Sequence, residues 1–137
     1  MELNKITEKI IGCAMKVHSF LGPGLLESAY EACLYHELIK AGLKAERQKP
    51  MSLIYDDVKL DIGYKIDLFV EGRVVVELKA VEEMHEIYTA QTLTYINLSK
   101  SEVGLLINFN VLRLKNGITR LIPKGPKYVP FTNKNLN

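Results

Sequence analysis

The residues best suited to chemistry lie in Tyr64-Lys65-Ile66-Asp67-Leu68-Phe69-Val70 and, after a turn, in Arg73-Val74-Val75-Val76-Glu77-Leu78-Lys79. Alternate residues of an extended strand share a face, so Val75, Glu77 and Lys79 point one way and Val74, Val76 and Leu78 the other. Apolar residues on both faces imply cover on both sides, where a carboxylate and an ammonium need partners. Two adjacent carboxylates, Asp67 and Glu77, would suit a hard divalent cation such as Mg²⁺ or Mn²⁺, which keeps several waters and takes further oxygens from a phosphate. Lys79 beside such an ion would position a water or offset charge building on the phosphate. A structural ion pair of Lys79 with Glu77 or Asp67 would suit the same residues.

Whether Asp67 joins the other two depends on the turn. A two-residue turn at Glu71-Gly72 pairs Val70 with Arg73 and sends Asp67 to the face opposite Glu77. A three-residue loop, Val70-Glu71-Gly72, with Gly72 in the left-handed conformation, pairs Phe69 with Arg73 and Asp67 with Val75, and puts all three charges on one face. Gly72 has no Cβ to oppose a positive φ, so the sequence permits the second arrangement.

Two helices must bring further polar groups. A third helix is expected over Glu83–Ser99, with Met84, Ile87, Tyr95 and Leu98 marking its inward stripe and Gln91 on that stripe. On a second helix, over Leu25–Ala41, Glu27 lies one turn before Tyr30 and Glu31, just after Gly22-Pro23-Gly24. There it would serve either the site or the helix dipole. A first amphipathic helix spans Ile6–Phe20 and ends at that Gly-Pro-Gly break. Gly42 closes the second helix. Strand-like segments follow at 51–55, 58–60, 64–70 and 73–78, with Asp56-Asp57 and Glu71-Gly72 as turns. A buried strand is expected over Val103–Phe109, then a small hairpin from Leu112 to Ile122 around Asn116-Gly117.

At 137 residues, with 47% hydrophobic and 25% charged residues, the chain has room and composition for one core. One domain is expected over residues 1–124, with an irregular tail at 125–137. Cys13 and Cys33 form no CxxC pair and read as interior thiols in a reducing compartment. No apolar run approaches the ~20 residues that span a bilayer, and Glu2 with Lys9 and Lys16 argues against a signal peptide. A soluble, cytoplasmic protein with no membrane partner is therefore expected. A net charge of +2 excludes a uniformly basic surface, so any phosphate contact must be local. The densest cationic stretches are Lys44–Lys49 and Lys124, Lys127 and Lys134; solvated surface is the first reading of each, ahead of phosphate contact.

Gly24-Leu25-Leu26-Glu27-Ser28-Ala29-Tyr30 has the GxxExxY spacing. With Asp67, Glu77-Leu78-Lys79, Gln91-Thr92-Leu93-Thr94-Tyr95 and Gly104-Leu105-Leu106-Ile107-Asn108-Phe109, it makes the chain resemble the GxxExxY proteins of the PD-(D/E)XK nuclease superfamily. The resemblance runs from the first helix to Ile122. It implies an α/β fold with an αβββαβ core, helices packed on a mixed sheet. It further implies a metal-dependent phosphodiesterase centre in which Glu27, Asp67, Glu77, Lys79 and Gln91 are catalytic. In that centre Asp67 and Glu77 hold Mg²⁺ or Mn²⁺, while Tyr30 and Tyr95 support. Tyr88 stands where members often carry a histidine, with His85 one turn earlier. The expected substrate is nucleic acid, DNA before RNA. A binding module that keeps the frame without cutting is the alternative, and a structural homodimer using an exposed sheet edge is a third reading.

Overall fold

The computed structural model describes residues 1–123, so the expected tail at 125–137 and Lys124, Lys127 and Lys134 lie outside the described residues. Helix α1 spans Leu3–Leu21, and Ile6, Ile10, Ala14 and Val17 form its buried stripe. Its end is closed by the Gly22 amide donating to the His18 carbonyl at 2.8 Å. Helix α2 spans Glu27–Lys40 and buries Tyr30, Glu31, Leu34 and Leu38. Between them the loop is held by Tyr30: its hydroxyl donates to the Gly22 carbonyl at 2.6 Å and accepts from the Leu25 amide at 3.1 Å. The Tyr30 ring stacks on Phe109 at 4.5 Å between centroids. The GxxExxY spacing thus has a structural cause, since the tyrosine clasps the loop that starts the helix carrying the glutamate.

Five strands follow: β1 Ala45–Tyr55, β2 Val58–Val70, β3 Val74–Lys79, β4 Val103–Asn108 and β5 Ile118–Leu121. Among the described residues they form one sheet in the order β1-β2-β3-β4-β5, with β3 and β4 parallel and the other neighbours antiparallel. Helix α3, Glu86–Ser99, makes the crossover between those two. Strands β3 and β4 are covered on both faces, as their unbroken apolar runs predict. Val74, Val76, Leu78, Leu105 and Ile107 pack under α1 and α2, and Val75 joins Ile66, Phe69, Leu93, Tyr95 and Ile96 on the α3 side. This is the α/β arrangement expected for a PD-(D/E)XK core.

Three expectations are corrected. The segments at 58–60 and 64–70 are one long strand, because β1 and β2 run on together as a ribbon to a turn at Asp56-Asp57, both at positive φ. No hairpin forms around Asn116-Gly117. Leu114 enters the core under α1, Leu114–Gly117 makes a single 3-10 turn, and β5 takes the free edge of β4 instead.

Helix α3 starts three residues late and is rotated, so that Met84, Ile87 and Gln91 are exposed and Thr92, Leu93, Tyr95 and Ile96 are buried. The cause is Gly104 on β4. A Cβ there would stand 2.6 Å from Ile96 Cδ1 and 3.4 Å from Thr92 Cγ2, so the bare backbone draws that face of α3 onto the sheet.

Candidate active site

The site begins with the β2–β3 turn. Arg73 N–H donates to Val70 O at 3.0 Å, with Glu71 (φ 56°) and Gly72 (φ 63°) both left-handed. Glu71 is held in that conformation by Lys44: the Glu71 amide donates to the Lys44 carbonyl at 2.8 Å, and the Lys44 amide to Glu71 Oε2 at 2.7 Å. Arg73 is an extra residue, so Val70 pairs with Val74, Phe69 with Val75 and Leu68 with Val76. The loop is therefore Glu71-Gly72-Arg73, one residue later than expected, yet it keeps the odd count that the three-charge face requires. Asp67 comes opposite Glu77, not Val75.

At that step the ladder stops. The Asp67 amide donates to Glu77 Oε2 at 2.9 Å, and the Leu78 amide donates to Asp67 Oδ2 at 2.9 Å. Strands β2 and β3 part here, and the two acids satisfy amides that a continued ladder would have paired. Asp67 is half-buried and Glu77 is buried, 5% exposed. Burial, and then the charge of Asp67, push the Glu77 carboxyl up to about 8, against a weaker opposing pull from the Asp67 amide and Lys79. Burial also raises Asp67, while the Leu78 amide opposes it and the charge of Glu31 adds to it.

Lys79 follows on the same face as Glu77, but the expected alternative of an ion pair is not realised: among the described residues no salt bridge includes Lys79. Its ammonium lies over the Tyr88 ring, 4.4 Å from the centroid. The end of β3 is fixed by β4. The Phe109 amide donates to the Lys79 carbonyl at 2.9 Å, and buried Asn108 bonds both the amide and the carbonyl of Val81.

The helices add the rest. Tyr95 is buried beneath the acids, its hydroxyl raised by burial and then by the charge of Glu77, and Gln91 hydrogen-bonds it. Gln91 is thus exposed at the mouth of the site and does not face inward. Glu27 is the first residue of α2 and exposed; it makes no direct bond to the acids, although both Asp67 and Glu77 feel its charge. Two participants were missed by sequence reasoning. Glu31, one turn after Glu27 and buried, accepts from Arg47 Nε at 3.1 Å and from Gln48 Nε2 at 2.6 Å. Gln48 Nε2 also donates to Asp67 Oδ1 at 3.3 Å. The i, i+4 spacing of Glu27 and Glu31 was a signal for the first; nothing in the sequence marked the second.

No group of three or more His, Cys, Asp and Glu side chains is arranged to hold a metal among the described residues. The pair that does converge still fits a hard cation: both donors are carboxylates, and Glu77, pushed up by burial and then by the charge of Asp67, is short of positive charge.

A family model for the PD-(D/E)XK nuclease superfamily matches residues 4–121. The chain belongs to the PD-(D/E)XK nuclease superfamily. No curated protein and no solved structure matches it. The matched span runs from the first turn of α1 to the last residue of β5, the whole fold just described. In a PD-(D/E)XK chain an aspartate is followed by a D/E-x-K triplet; this chain has Asp67 and then Glu77-Leu78-Lys79, with Ile66 at the place of the proline.

Proposed function

We propose that this chain hydrolyses phosphodiester bonds in nucleic acid with the help of Mg²⁺ or Mn²⁺, DNA being the first substrate. The observation that carries the reading is the pair of half-buried Asp67 and buried Glu77, anchored where β2 and β3 part, with a lysine on the same face that forms no salt bridge among the described residues. Asp67 and Glu77 would hold the ion, which when bound supplies Lewis acidity toward the phosphate and an acidified water. Lys79 donates to the attacking water or to the phosphate oxygen that gathers charge. Gln91 and Tyr95 line the α3 side, and Glu27 faces the acids from the N-terminus of α2. Tyr30 supports Glu27 by clasping its loop. The GxxExxY branch of the superfamily fits that clasp.

The reading takes residues 1–124 as one domain working in the cytoplasm, supported by two free cysteines, Cys13 and Cys33. No helix among the described residues is long and apolar enough to cross a membrane. A structural homodimer pairing through an exposed sheet edge is a third reading, which sedimentation with and without nucleic acid would separate from a binding module.

The test is cleavage of labelled single- and double-stranded DNA and RNA with Mg²⁺, with Mn²⁺ and with chelator. Metal-dependent cutting that Glu77→Ala and Lys79→Ala each abolish is the expected result; cutting that survives both substitutions would overturn the centre. A binding module that has kept the frame is the second reading, favoured by the small net charge. It predicts binding without metal and without cleavage.

A further inference from the structure

Among the described residues, five non-glycine residues have a positive φ: Gln48, Asp56, Asp57, Glu71 and Lys100. Asp56 and Asp57 form the β1–β2 turn, Glu71 the β2–β3 turn, and Lys100 caps α3, all places where a chain must reverse or end. Gln48, at φ 51°, lies inside β1. A side chain in the left-handed region in mid-strand is strained and persists only where its surroundings hold it there. The flanking pairs are Arg47 with Leu68 and Lys49 with Ile66, so Gln48 stands opposite Asp67 at a step where no ladder pair forms.

The side chain shows what holds it. Its amide nitrogen donates to Glu31 Oε1 at 2.6 Å and to Asp67 Oδ1 at 3.3 Å. Glu31 is buried, and its other oxygen takes Arg47 Nε at 3.1 Å. The chain of contacts therefore runs from Arg47 through Glu31 and Gln48 to Asp67, whose second oxygen is taken by the Leu78 amide. Gln48 is the donor between two carboxylates that would otherwise repel each other. Gln48 and Asp67 share a face of the sheet because they stand opposite each other, and the left-handed kink falls at the residue whose amide reaches both acids.

We infer that Gln48 is a positioning residue: its strained backbone delivers an amide that ties Asp67 to Glu31 and holds the Asp67 carboxylate in the orientation that receives a divalent cation. The inference rests on the metal-centre reading above. It predicts that removing the amide weakens ion binding, as removal of groups that orient ligands commonly does by ~10–100-fold. It also predicts that stability and ion affinity separate, because the kink is unfavourable to glutamine and to methionine but not to glycine.

Mn²⁺ binding by calorimetry and unfolding in urea are measured for the wild type, Gln48→Met and Gln48→Gly. Methionine keeps the length and the strain without the donors; glycine removes both strain and donors. Both variants are expected to bind Mn²⁺ at least about tenfold more weakly than the wild type, with Gln48→Gly the more stable of the two. If Gln48→Met binds Mn²⁺ within about twofold of the wild type, or if affinity simply follows stability so that glycine restores binding, Gln48 does not position the site. A wild type that binds no Mn²⁺ removes the metal centre and this role together.

Discussion

The Asp67 amide donates to the Glu77 carboxylate at 2.9 Å, and the Asp67 carboxylate accepts from the Leu78 amide at 2.9 Å, so each acid is anchored by the backbone of the strand that bears the other. This reciprocal bond holds the two acids together in a largely buried place. It fixes their directions while leaving each carboxylate free lone pairs for a ligand.

Glu77 makes stability depend on pH. Its folded-state carboxyl lies near 8, above the value of 4.5 usual for glutamate. Below about pH 4.5 both folded and unfolded chains hold the proton and the full stability is present. Between about 4.5 and 8 the unfolded chain releases a proton that the folded chain keeps, so stability falls as pH rises. Asp67 is raised as well and adds in the same direction. At ~1.4 kcal/mol for each tenfold change in proton affinity, the ceiling for Glu77 is roughly 5 kcal/mol. Urea unfolding in chelator should show a loss of a few kcal/mol from pH 5 to pH 8, much reduced in Glu77→Gln. A flat profile in the wild type would contradict the burial of this acid.

Tyr88 should matter to turnover through Lys79. The contact at 4.4 Å is to the ring face, so Tyr88→Phe should keep most of the activity and Tyr88→Leu should lose it by about tenfold, in kcat more than in KM. Equal loss in both variants would point to the hydroxyl instead.

Tyr30→Phe removes both bonds of the buried hydroxyl and leaves the Gly22 carbonyl and the Leu25 amide to find other partners. A loss of about 1–3 kcal/mol is expected in urea unfolding. Because that loop starts α2, cleavage should fall as well. An unchanged midpoint would mean that water replaces the clasp at no cost.

Gly104→Ala should destabilise by about 1–3 kcal/mol, because the new methyl group must push back Ile96. Adding Ile96→Val should recover part of that loss, and a double-mutant cycle would show the coupling as non-additivity. Strict additivity would mean that α3 is not seated on this glycine.

Much of the fold was legible because its elements follow hydrophobic period. The stripes of α1 and α2 and the unbroken apolar runs of β3 and β4 marked their places. Strand alternation put Glu77 and Lys79 on one face, but whether Asp67 joined them hung on a turn whose length the sequence left open and whose position fell one residue later. What sequence could not show depends on tertiary partners. The exposure of Gln91 is set by Gly104 on a distant strand, and Asn116-Gly117 lost its hairpin when β4 offered an open edge. The role of Gln48 lies in a backbone conformation that no local residue pattern encodes, and the aromatic partner of Lys79 appears only once α3 is laid across β3.

The central claim is that Asp67 and Glu77 converge on one divalent cation, and a Mn²⁺-soaked crystal measured for anomalous scattering tests it most directly. The expected result is a single strong peak at about 2.1 Å from one oxygen of each carboxylate, absent in Glu77→Gln. A peak at any other place, or no peak with both carboxylates still bonded to the amides of the opposite strand, would contradict the account.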